Sequence, residues 1–158
     1  MEHMETIISD IKKFIVEANK AGYAAGDSAT IIKEADGSKT IVYEKGDWKY
    51  HDNFFGGEPY GGREVVFYKG KPVWMMVYYG WVIPNIDPKT IYPFLQESLR
   101  LIPEDSPFRG PKLHESANMH YINEWKGQAD SFKGEEIILL DKKEVYKAFY
   151  VGGLVDQR

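Results

Sequence analysis

At 158 residues, with 43% hydrophobic and 28% charged side chains, the chain is long enough to bury a core and too apolar to be disordered, and we expect one domain over residues 1–158. A formal charge of -4 argues against direct nucleic-acid binding and against an anionic membrane surface, since both need a basic patch. The chain has no Cys, which excludes disulfides, thiol catalysis and thiolate metal sites; no apolar run reaches the length of a membrane span and no signal peptide is visible, so a cytoplasmic protein is expected.

Residues 6–20 predict a helix, with Ile7, Ile8, Ile11, Phe14, Ile15 and Ala18 on one face and Lys12, Lys13, Glu17 and Lys20 opposite. Thr6 suits its N-cap and Gly22 its end, and residues 1–4 are given no structural weight. Residues 23–37 read as an irregular connection, loop-like over 24–28, with a turn at Asp36-Gly37. Residues 40–44 form a strand, Lys45-Gly46-Asp47 a turn, and 48–55 the partner strand. Alternation puts Trp48, Tyr50, Asp52 and Phe54 on one face. Residues 56–62 hold four Gly and one Pro and read as a flexible loop. A β-hairpin follows over 62–82, turning at Lys69-Gly70-Lys71-Pro72. Asp87 can cap the next helix, with Pro88 at its first position. That helix covers 90–102, with Ile91, Phe94, Leu95, Leu99 and Ile102 as its apolar face. The connection over 103–111 is stiffened by Pro103, Pro107 and Pro111.

Residues 134–154 repeat 62–82 without a gap. Gly62/Gly134, Glu64/Glu136, Lys71/Lys143, Val73/Val145, Tyr78/Tyr150 and Gly80/Gly152 are identical, several times the roughly one match expected by chance over such a stretch. The helices match as Ile11/Ile91, Phe14/Phe94 and Ile15/Leu95, and Tyr43/Tyr121, Asp52/Asp130 and Phe54/Phe132 match in the same order. The expected fold is therefore α+β: a largely antiparallel sheet with two helices on one face. It would be built by an internal duplication of a helix plus four strands, over about 6–82 and 90–154.

The boxes Phe54-Phe55-Gly56-Gly57, Pro107-Phe108-Arg109-Gly110-Pro111 and Tyr150-Val151-Gly152-Gly153, with the hairpin between 68 and 80, resemble one uncharacterised prokaryotic domain family. That family occurs alone or C-terminal to helix-turn-helix regulators of the XRE type. The resemblance implies a regulatory or sensing module and brings no activity, cofactor or catalytic residue. This chain lacks the helix-turn-helix of the fused form. The helix-plus-sheet repeat is also similar to the gyrase-inhibitor-like small-molecule-binding fold, at the level of fold alone.

Aromatic residues make up 15% of the chain, more than a core of this size needs, so a pocket or interface is expected. Trp48, Tyr50, Trp74, Tyr78 and Tyr150 are candidate ligand-binding residues; the alternative is a second core face or a dimer contact. Glu64 and Glu136, at matching positions, either face one cavity and favour a small apolar or cationic ligand, or are solvated strand ends. Asp52 and Asp130 read as caps of turns. Arg109, on a stiff loop, either clamps an anion or pairs with an acidic residue of the chain; if it reaches the cleft, it reverses the preference for a cation. His51, His114 and His120 lack ligand spacing, so neither metal nor cofactor is expected. The preferred function is a small-molecule-binding or sensing domain with an aromatic cleft between the repeats. The alternatives are a small hydrolase or isomerase with Glu64 or Asp52 as base and Arg109 as anion clamp, and a homodimerising module that buries the row Val73, Met75, Val77 and Tyr79.

Overall fold

Strand alternation and two amphipathic stretches produce one sheet with helices on a single face. The structure is a computed structural model that describes residues 2–24 and 30–158. In chain order the described residues form α1 (Glu2–Asn19), which runs on into a π-helical turn (Lys20–Ala24), then β1 (Thr30–Lys33), β2 (Lys39–Lys45), β3 (Trp48–Phe55), β4 (Tyr60–Tyr68) and β5 (Lys71–Val82). After these come α2 (Pro88–Leu99), β6 (Leu113–Ser116), β7 (Met119–Gln128), β8 (Ser131–Leu140) and β9 (Lys143–Leu154). The strands make one nine-stranded antiparallel sheet in the order β1-β2-β3-β4-β5-β9-β8-β7-β6, so the fold is α+β.

Two meanders, β1 to β5 and β6 to β9, meet at the central pair β5 and β9. The register there sets Tyr78 opposite Tyr150, Trp74 opposite Leu154 and Val82 opposite Tyr146. The hairpin β4–β5 carries an irregularity between Val66 and Phe67, and β8–β9 carries one between Ile138 and Leu139.

One face of the sheet is covered by the helices. Ile11, Phe14, Ile15 and Ala18 of α1 pack on Tyr50, Val66, Trp74, Met76, Tyr78, Phe132 and Tyr150. Ile91, Phe94, Leu95 and Leu99 of α2 pack on Val82, Tyr121, Ile138, Tyr146 and Ala148. Burying a large apolar side chain contributes about 1.5–3 kcal/mol, so these two clusters are the main source of stability. Asp87 caps α2 by accepting from the Lys89 N–H at 3.0 Å, with Pro88 at the first position.

Several local expectations are corrected. The first helix begins at Glu2, ahead of Thr6, and passes through Gly22. Gly22 does not adopt a left-handed conformation, so it does not end the helix; a Cβ there would lie 3.7 Å from Ile41. The Thr6 side chain and, beyond Ala24, the loop expected over 24–28 lie outside the described residues. The second helix stops at Leu99, and Ile102 is buried beyond its end. Tyr60, Gly61 and Gly62 are part of β4 rather than of a flexible loop, because glycine here provides clearance. A Cβ on Gly62 would lie 2.7 Å from the Tyr78 hydroxyl, and one on Gly134 would run into the Tyr150 ring. Gly134→Ala should therefore destabilise the fold by about 1–3 kcal/mol through overpacking. A urea midpoint within error of wild type would show that Tyr150 can move aside.

Candidate functional site

The covered face of the sheet carries an unusual number of buried polar groups, and their placement follows from strand register. On β3, alternation points Tyr50 and Asp52 inward; on β4 it does the same for Glu64, which pairs with Asp52 across the ladder. The Tyr50 hydroxyl donates to Glu64 Oε1, and the Tyr78 hydroxyl donates to Asp52 Oδ1. The second meander has the same arrangement. Asn123 on β7 pairs with Glu136 on β8, the Tyr121 hydroxyl donates to Glu136 Oε2, and the Tyr150 hydroxyl donates to Asn123 Oδ1 at 2.6 Å. Asn123 thus stands where Asp52 stands in the first meander. Asp130 lies in the turn between β7 and β8, while Asp52 is buried mid-strand. The matches of Asp52 with Asp130 and of Phe54 with Phe132 are therefore not matches of strand position: Phe54 pairs with Gly62, and Trp125 with Gly134.

Asn123 also anchors the proline-rich connection. Its Nδ2 donates to the Gly110 carbonyl at 2.9 Å, and the Gly110 N–H donates to the Tyr121 hydroxyl at 3.0 Å. This turns residues 107–110 inward, all of them buried. Arg109 then meets Glu136 through Nη2 at 2.8 Å and Nε at 3.0 Å, both on Oε1. Its Nη2 also donates to the Tyr60 hydroxyl at 3.0 Å, and the guanidinium lies 5.0 Å from the centre of the Tyr78 ring. The Tyr60 and Tyr146 hydroxyls are hydrogen-bonded, and Tyr146 donates to Glu136 Oε1 at 3.2 Å.

The two glutamates therefore differ. Glu136 has a cation against it. Glu64 has none, and its Oε2 has no hydrogen-bond partner among the described residues. Burial, then the neighbouring Asp52, push the Glu64 carboxyl up to about 8, against the pull of the Tyr50 hydrogen bond and of Arg109. Burial thus favours the protonated form of Glu64. Burial works against the charge of Arg109, but Glu136, with Tyr60 and Tyr146, holds its pKa well above the usual value. Burial raises the pKa of Tyr60, Tyr121, Tyr146 and Tyr150, which keeps their hydroxyls neutral.

A cavity of about 420 Å³ opens beside this network, between α2 and the edge of the first meander. Phe54, Tyr60, Tyr78, Leu95, Leu99 and Arg109 line it, with Ile31 and Ile41 on one side and Gly56, Gly57, Tyr92, Gln96 and Arg100 also contributing. Glu58 ties the short loop down beside it: one carboxylate oxygen accepts from the Val82 N–H at 2.7 Å, the other from the Tyr92 hydroxyl. A second hollow, of about 1020 Å³, lies on the uncovered face of the sheet around Val77, Tyr79, Phe149 and Val151. Its charged lining residues Lys112, Glu124, Lys126 and Lys133 are exposed, and Glu135, which is half-buried, pairs with Lys147.

Of the residues singled out in the sequence, Tyr78 and Arg109 line the cavity. Tyr50, Glu64, Glu136 and Tyr150 form the network behind it. Trp48 and Trp74 are elsewhere. Trp48 packs on Phe14 and Tyr68, at ring distances of 5.4 and 4.6 Å. Trp74 is fully buried under α1, and its indole N–H donates to the Ala129 carbonyl at 3.0 Å. Alternation correctly assigns their face of the sheet, but α1 covers that end of it. Among the residues the sequence did not single out as site residues are Tyr60, Phe54, Leu95, Tyr121, Asn123 and Tyr146. The same-face pairs Tyr50-x-Asp52 and Tyr121-x-Asn123 were the available signal. Among the described residues, no group of three or more His, Asp or Glu side chains could hold a metal ion, and no helix is long and apolar enough to cross a membrane.

No curated protein and no solved structure matches the chain. A domain family described as a domain of unknown function, DUF5680, matches residues 52–155, from the buried Asp52 through β9. The chain belongs to that family.

Proposed function

We propose that this member of the family is a small-molecule-binding domain of the sensing kind, with its ligand in the 420 Å³ cavity beside α2. The observation that carries the reading is the junction of that cavity with a buried ion pair. Arg109 lines the cavity and is fixed by Glu136, Tyr60 and the Tyr78 ring. Burying an ion pair gains little stability over apolar packing, so its position at a cavity wall favours a binding role. The volume is in the range of small-ligand sites, about 300–1,000 Å³, and the lining combines apolar walls with a few convergent polar groups. Phe54, Leu95 and Leu99 would take the apolar body of a ligand, and Arg109 and Tyr60 would orient it. Glu64 and Glu136 support the site from behind. The Glu58–Tyr92 contact holds the 56–59 loop at the rim. The likeness to a domain found behind XRE-type regulators supports sensing over catalysis. The hydrolase or isomerase reading has less support, because neither Glu64 nor Asp52 lines the cavity.

A thermal-shift screen of small apolar and amphipathic compounds tests this reading. We expect saturable stabilisation that is lost in Gln96→Trp, a rim substitution at an exposed helix position that fills the mouth. Hits that survive Gln96→Trp unchanged would place binding elsewhere.

A second reading, homodimerisation, is favoured by one observation. Of the expected row, Val73 and Met75 are half-buried, Val73 packing on the core, while Val77 and Tyr79 are 45% and 52% exposed and lie across β5 and β9 from Val151 and Phe149, 57% and 46% exposed. The expected outcome is a dimer by light scattering that Tyr79→Lys converts to monomer; a wild-type monomer at high concentration would end that reading.

The internal duplication also remains a proposal. The central pairing of Tyr78 with Tyr150, the matched irregularities and the repeated Tyr–Glu contacts support it. An experimental structure in which the two Tyr–Glu contacts do not correspond would count against it.

A further inference from the structure

The cavity's polarity points to a ligand class. Among the described residues, its lining includes Arg109 and no carboxylate. The acidic groups nearby are already committed or screened: Glu58 at the rim accepts from the Val82 N–H and the Tyr92 hydroxyl, Glu136 is bonded to Arg109, and Asp52 accepts from the hydroxyl of Tyr78, which stands between it and the cavity. Arg109 engages its neighbours through Nε and Nη2, and no described residue accepts from its Nη1. A guanidinium fixed on a rigid loop with its Nη1 hydrogens to spare can donate to an anionic oxygen, and its orientation is already set before binding. The walls opposite are apolar: Phe54, Leu95, Leu99 and Ile41.

From this we propose that the cavity takes an amphipathic monocarboxylate, its carboxylate on Nη1 of Arg109 and its apolar body against Phe54, Leu95 and Leu99. The preference is opposite to the cation expected if Glu64 and Glu136 had faced the ligand. This proposal rests on the binding reading above and adds the ligand's charge to it. Because Glu136 already balances the charge of Arg109, the site tolerates one ligand carboxylate at most. With Glu136 already on Arg109, a second charge on the ligand would have no partner and would pay desolvation in full.

The test is calorimetric titration at neutral pH with decanoate, decyltrimethylammonium and decanol, each below micelle-forming concentration. The proteins are wild type, Gln96→Glu and Arg109→Lys. Gln96 is exposed on α2 at the cavity wall, and Glu is about as good a helix former, so Gln96→Glu changes the charge facing the ligand and leaves the fold intact. Decanoate should bind one to one and at least roughly tenfold tighter than either other probe. Gln96→Glu should weaken decanoate by roughly tenfold and leave decanol unchanged. Arg109→Lys, if folded, should weaken decanoate and spare decanol, because a single ammonium on Glu136 leaves no second fixed nitrogen for the ligand. Tighter binding of decyltrimethylammonium, improved further by Gln96→Glu, would overturn the carboxylate while keeping the binding site. Equal binding of all three would do the same. No binding of any probe would overturn the site itself.

Discussion

Replacing Arg109 by Met should destabilise the fold by about 3–5 kcal/mol, because it leaves Glu136 buried without its cation. Glu136 is completely buried, and Tyr121 and Tyr146 remain as its hydroxyl donors. Hydroxyls can solvate a carboxylate but cannot neutralise it, so the carboxyl would have to take up a proton or draw in water. Met also loses the contact with the Tyr78 ring and the bond to Tyr60. The double substitution Arg109→Met with Glu136→Gln should recover a large share of the loss, because it removes the charge left behind. Urea unfolding of the four proteins of this cycle measures it. A single-mutant loss below about 1 kcal/mol would mean that Arg109 and Glu136 do not form the buried pair described here.

Glu64 gives the second large effect, visible through pH. Its ordinary value is 4.5, and burial with Asp52 beside it moves the folded-state value up to about 8. The folded protein therefore holds a proton that the unfolded chain releases. The stabilisation is fully present below about 4.5 and is lost as pH rises through about 8. Between pH 5.5 and 8 wild type should lose about 2–4 kcal/mol through this group, and Glu64→Gln should not. His51 runs the other way: its pKa is lowered by burial and then by Lys49 and Arg63, so its contribution weakens as pH falls. That contribution is common to both proteins and cancels in their difference. Parallel stability–pH curves for wild type and Glu64→Gln would show that the Glu64 carboxyl is solvated.

Much of the architecture was legible because it depends on local pattern. Residues 48–55 alternate clearly and form β3 with those bounds. Asp87 and Pro88 mark the start of α2 by their capping chemistry. The match of 62–82 with 134–154 drew attention to Glu64 and Glu136, and both are buried. What failed was information that only register or tertiary contact supplies. Asp52 looked like a turn residue because a Gly-rich stretch follows it, yet its partner across the ladder is Glu64. The glycines at 61 and 62 look flexible in the sequence; they are strand positions kept small by the Tyr79 ring at Gly61 and by the Asn53 backbone and the Tyr78 hydroxyl at Gly62. Trp48 and Trp74 share a face with Tyr50 and Tyr78, and nothing local indicates that α1 covers the two indoles while the cavity opens beside Tyr78. Arg109 was open between an internal ion pair and an anion clamp. The structure makes the ion pair, and the pair stands at the cavity wall.

On the proposed function, ligand enters the cavity beside α2 and not the hollow on the uncovered face. Amide chemical-shift mapping during titration with decanoate tests it most directly. The account predicts saturable shifts concentrated at Phe54, Gly56, Gly57, Tyr60, Leu95 and Leu99. Shifts centred on Val77, Tyr79, Phe149 and Val151 instead, with the α2 amides unmoved, would contradict it.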